Sequence, residues 1–219
     1  MEIKFIYFML ILSFLIYWCI NEKTGLQLGI VVLISAWVVS VYAHLEIDFP
    51  FNLNWIIFAV IFCVYLLLRN KIETLLSMGG FRAYVIASAV VSFLLILYRP
   101  NYEFVIPGGF LLGLGAGYCL NKRFIGFKSA DVMQRKGAAK YLALLARFLL
   151  GVIILVLIEY RIVKIIEVVA ERQNIMLYCF LCYGVIGLWV SVAAPWLFIK
   201  LRLAGIVFEE NWMIKKNDK

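Results

Sequence analysis

The chain has 219 residues, of which 65% are hydrophobic, with a formal net charge of +8 and a mean hydropathy of +0.99. A soluble domain is about half apolar, so this composition excludes a water-soluble globular protein and leaves a polytopic membrane protein. In that setting the positive charge belongs with Lys and Arg gathered in cytoplasmic loops, and no nucleic-acid partner is expected.

A membrane-crossing helix needs about 20 mostly apolar residues. In chain order, seven segments approach that pattern: Ile3–Ile20, Leu26–Leu45, Leu53–Leu68, Ala83–Tyr98, Phe104–Leu120, Tyr141–Tyr160 and Ile175–Ile199. The expected fold is therefore all-α, a polytopic integral membrane helical bundle of about seven transmembrane helices. It forms a single membrane domain, 1–219, with helices through residue 120, a basic cytoplasmic loop over 121–140, and C-terminal helices and tail over 141–219. The first segment has no small-residue cleavage site and reads as a retained helix rather than a signal peptide. The third and fourth segments are short enough to suit tilted or re-entrant elements. Past Tyr160, "RIVKIIEVVAER" keeps apolar residues at helical spacing, which predicts a helical continuation suited to the interface.

Charge sets the expected orientation. The loops after segments one, three and five, with the C-terminal tail, hold fifteen Lys and Arg, against five in the opposite set. The first set is expected to be cytoplasmic, with the N-terminus outside and the C-terminus inside. Trp18, Trp37, Trp55 and Trp189 lie in or beside the spans, and those near span ends suit an interfacial belt. The basic stretch Asn121–Lys140 is a topology-setting loop whose charges also suit anionic lipid head groups. Of the five cysteines, Cys179 and Cys182 form a C-x-x-C inside "LYCFLCYG". With no second pair and a single histidine, His44, no metal and no cofactor is expected. The cysteines read as small buried hydrophobes.

Two stretches carry a family resemblance. The first is "FLIYWCINEKTGLQLGIVVLISAWVVSVYAHLEIDFPF", Phe14–Phe51, with a Tyr-Trp-Cys helix end, a short polar turn and a Gly-x-x-Leu-Gly helix entry. The second is "LGLGAGYCLNKRFIGF" followed by "ARFLLGVIILVLI" and "YGVIGLWVSVAAPWLFIKLRLA". The first resembles the start of bacterial membrane phosphatases of the type-2 phosphatidic acid phosphatase family. The second resembles the extra helices that follow the catalytic domain in one branch of that family. The resemblance implies residence in a bacterial cytoplasmic membrane.

The family's chemistry implies a Lys and an Arg on the transferring phosphoryl oxygens, one His as nucleophile, and a second His, held by an Asp, as acid and base. Here Tyr42 and Phe49 stand at the Lys and Arg positions of the first motif. In the second motif, Gly108, Gly109 and Phe110 replace Ser, Gly and His. Aligned instead on the third motif, the same region places Leu95, Asn101 and Val105 at Arg, His and Asp. With His44 as the sole histidine, the two-histidine mechanism is excluded for the monomer, and no catalytic residue is assigned.

Four polar groupings are candidates for other roles. His44, Glu46 and Asp48 sit at the outer end of segment two, either as a lipid-phosphate contact or as an interfacial cap. Arg99, Asn101 and Glu103 lie on the same predicted side, where Arg99 either binds a phosphate or diphosphate head group or anchors a helix end that Pro100 breaks. Glu159, Arg161, Lys164 and Glu167 read as a solvated helix face. Arg147 lies within segment six, placed to snorkel or to pair inside. The candidate ligand-binding set is Arg99, Glu103, His44 and Asn101. The expected function is a non-catalytic, phosphatase-like membrane protein that binds a lipid or isoprenoid phosphate, or acts as a subunit of a membrane complex, with membrane lipids and a membrane-protein partner or second copy as partners. The alternatives are an active lipid phosphatase with a substitute mechanism and a lipid or small-molecule transporter or flippase.

In "IPGGFLLGLGAG", Gly109, Gly113 and Gly117 recur every fourth residue. Such small-xxx-small spacing lets helix backbones approach closely in lipid, so this stretch is read as a packing surface, within the chain or between chains. Pro107 is placed in the first turn of its helix.

Overall fold

The computed structural model describes residues 3–44, 53–98, 102–129, 137–169 and 175–206. Among these, the α-helices are α1 (Ile3–Cys19), α2 (Glu22–His44), α3 (Leu53–Tyr98), α4 (Tyr102–Leu120), α5 (Ala138–Val169), α6 (Ile175–Leu188) and α7 (Ala194–Lys200). A π-helical turn, Asn121–Ile125, follows α4, and a second, Trp189–Ala193, joins α6 to α7. A minimal antiparallel ladder sets β1 (Phe127–Lys128) against β2 (Gly205–Ile206), with Phe127 opposite Ile206. The architecture is an all-α bundle. Four of its helical stretches are long and apolar enough to cross a membrane: Glu22–Val41, Phe104–Ile125, Ala138–Ile166 and Ile175–Lys200.

Segment boundaries drawn from hydropathy shift where polar residues form helix ends. α2 begins at Glu22, one turn before the expected Leu26, because its first amides are capped. Asn21 Oδ1 accepts from the amides of Lys23 (2.9 Å) and Thr24 (3.1 Å), and the Asn21 carbonyl accepts from Gly25. The Glu22 amide donates to Ser129 Oγ, 3.0 Å away, from a distant part of the chain. The Asn21 amide itself donates to the Ile16 carbonyl, so the four amides from Asn21 to Thr24 that have no partner within α2 are satisfied, and Gly25 makes the first bond of the helix.

Expected segments three and four fall on one continuous helix, α3, of 46 residues. At about 1.5 Å per residue this is roughly 70 Å of helix path, against a hydrocarbon core of about 30 Å. Arg69, Lys71 and Glu73 interrupt the hydropathy but are good helix formers, and no proline lies between Leu53 and Tyr98 to stop the backbone. Likewise the continuation past Tyr160 belongs to α5, and the last expected segment is α6, the π-helical turn and α7 in succession. Pro107 lies inside α4, past its first turn, because the helix already begins at Tyr102.

The best-packed pair is α4 against α6. A Cβ at Gly109 would overlap the Phe180 carbonyl oxygen, and one at Gly113 would overlap that of Gly184. Gly187, on α6, faces the α4 backbone at Phe110–Leu114 as closely, and Gly117 lies against Ser191. The glycine face of α4 therefore lies against small residues of the same chain. Around this seam sits an aromatic core. Phe14 stacks on Phe110 with centroids 5.8 Å apart, Trp18 meets Phe198 edge-on at 5.8 Å, and Phe127 lies near both Tyr17 (6.4 Å) and Phe198 (6.3 Å).

Burial is inverted relative to hydrophobicity. In the most apolar part of Ala138–Ile166 only 17% is buried, against 67% for Phe104–Ile125. α5 exposes Leu142, Leu145, Leu149, Ile153 and Val156 along its length, the surface of a helix that meets lipid chains.

Candidate functional site

His44 is the last residue of α2, and Glu103 is in the first turn of α4, each placed by its backbone alone. Arg99 and Asn101, with Glu46 and Asp48, lie outside the described residues. The start of α2 lies by the end of α4, with Gly29 beside Leu114 and the Glu22 amide on Ser129, so the two packed helices run in opposite directions and α2 ends on the side where α4 begins.

The most developed polar site is at the opposite end, where α1 ends, α2 begins and α4 ends. Pro195 creates the need for it. Without an amide proton, Pro195 cannot bond back to the carbonyls of Ser191 or Val190 in either an α or a π register. Side chains from elsewhere satisfy both. Trp18 Nε1 donates to the Val190 carbonyl at 2.9 Å. Tyr17 Oη donates to the Ser191 carbonyl at 3.2 Å, and Asn121 Nδ2 donates to the same oxygen at 2.9 Å and to Tyr17 Oη at 3.1 Å. Asn121 Oδ1 in turn accepts from the Phe127 amide at 3.2 Å. This last bond bridges Gly126, which turns the chain with φ 66° and donates back to the Asn121 carbonyl.

Arg147 is the second centre, and it is fully buried. Its Nη1 donates to the carbonyls of Trp18 (3.0 Å) and Ser129 (3.0 Å), and its Nε (3.1 Å) and Nη2 (2.7 Å) both donate to the Leu203 carbonyl. The guanidinium also lies 5.5 Å from the Phe127 ring centroid. Leu203 is positioned by the cap that ends α7. The Arg202 amide donates to the Ile199 carbonyl at 2.9 Å and the Leu203 amide to the Phe198 carbonyl at 2.8 Å, the paired bonds of a Schellman cap. Arg202 takes the left-handed position, φ 56°, usually held by glycine. Ser129 is fixed from the other side, donating through both its amide (3.2 Å) and its hydroxyl (2.6 Å) to Glu22 Oε2.

This network joins α1, α2, both π-helical turns, β1, α5 and the cap of α7. Its donors are directed at main-chain carbonyls or at oxygens of the network's own side chains, so its chemistry is that of a structural clamp. Among the described residues, no group of three His, Cys, Asp or Glu is placed to hold a metal ion. Cys179 and Cys182 are free thiols, the first buried and the second partly so. Arg147 was legible as an anomaly, a charge inside an apolar run. The roles of Asn121, Glu22 and Ser129 carried no sequence signal, because their partners lie 70 or more residues away.

Apolar helices of spanning length, small-residue packing and a lipid-facing α5 define an integral membrane helical protein. Its relationship is found in the second half: residues 105–206, a little under half the chain, match the family model of the PAP2 superfamily phosphatase, transmembrane extension. The resemblance to the type-2 phosphatidic acid phosphatase membrane family is thus shown across α4 to β2, and the chain carries a membrane domain related to PAP2 superfamily phosphatases. The match spans the glycine face of α4, both π-helical turns, Arg147, Pro195 and the α7 cap, while Phe14–Phe51 lies outside it. No curated protein and no solved structure matches the chain.

Proposed function

We propose that the protein is a non-catalytic relative of the membrane phosphatases, which holds a lipid phosphate or isoprenoid phosphate at the end of the bundle where α2 ends and α4 begins, with His44, Arg99, Asn101 and Glu103 as the proposed contacts. The observation that carries this reading is the position of the family match. It starts at residue 105 and so takes in Pro107–Phe110, the nearest string to a catalytic loop, as part of a transmembrane extension. In the same string, Phe110 is buried and stacked on Phe14. The count of one histidine in the chain supports the same view, since a phosphohistidine mechanism with a separate acid–base needs two. Arg99 is the proposed phosphate contact, because a guanidinium recognises phosphate through paired donors.

The test has two arms on the purified full chain in nanodiscs. With phosphatidic acid or an isoprenoid diphosphate as substrate, release of inorganic phosphate is expected to stay at the protein-free background, and sustained turnover overturns the non-catalytic assignment. With an isoprenoid phosphate as ligand, saturable binding is expected that weakens at least severalfold in Arg99→Ala; unchanged binding removes Arg99 from the site.

A further inference from the structure

We draw no further inference here: the strongest candidate, the outward apolar face of α5 that exposes Leu142, Leu145, Leu149, Ile153 and Val156, carries nothing beyond contact with lipid chains, because nothing among the described residues shows what else covers it.

Discussion

Arg147 shows how one buried cation ties distant stretches of a membrane protein together. It reaches three backbone carbonyls, those of Trp18, Ser129 and Leu203, each on a different stretch of chain. Removing it leaves those oxygens buried and under-bonded, and each such loss costs about 1–3 kcal/mol. Arg147→Met is therefore expected to destabilise the folded chain by about 3 kcal/mol, read as a lower unfolding midpoint in detergent. Arg147→Lys, with one charged tip instead of a fork, is expected to recover only part of the loss. A methionine variant as stable as the parent would show that the clamp contributes nothing net.

At the scale of elements, α4 and α6 approach until glycine is required on particular sides only. A methyl group at Gly113 would overlap the Gly184 carbonyl, whereas one at Gly184 finds its nearest neighbour, the Gly109 carbonyl, at 3.5 Å. The two positions face the same seam and predict opposite outcomes. Gly113→Ala is expected to loosen the pair and lower stability. Gly184→Ala is expected to be neutral or stabilising by up to about 1 kcal/mol, because alanine lowers the entropy of the unfolded chain. Thermal unfolding of the two single variants checks this, and equal losses would place the seam elsewhere. The pair also separates what was readable from what was not. A four-residue glycine spacing announces a smooth face, but nothing in "IPGGFLLGLGAG" says that the partner lies some 70 residues on in the same chain. The one-helix α3 was illegible for a related reason: hydropathy registers where polarity returns, and the backbone helix passes through Arg69, Lys71 and Glu73 without a break.

For the whole molecule, the network collects the ends of α1, α4 and α7 and the starts of α2 and α5 on one side, and with them Lys122, Arg123, Lys128, Lys140, Lys200 and Arg202. A basic face of this size is proposed to lie on the cytoplasmic side. Ala138, exposed at the start of α5, offers a probe of orientation. In a cysteine-free background, Ala138→Cys is expected to react with a membrane-impermeant maleimide only after the cells are permeabilised; labelling of intact cells reverses the orientation.

By itself the sequence determined that the chain is a membrane bundle, which stretches are apolar enough to cross, that it holds a single histidine, and which family its second half resembles. These follow from composition, counts and local spacing, which need no partner to be read. Only the tertiary structure decided that the glycine face of α4 closes on α6, that Pro195 leaves two carbonyls for Tyr17, Trp18 and Asn121 to satisfy, and that Arg147 is a clamp rather than a snorkelling surface charge. Each of these is a bond between residues far apart in the chain. An unmet carbonyl or a smooth helix face records a demand for a partner, and only the packed fold shows which residue meets it.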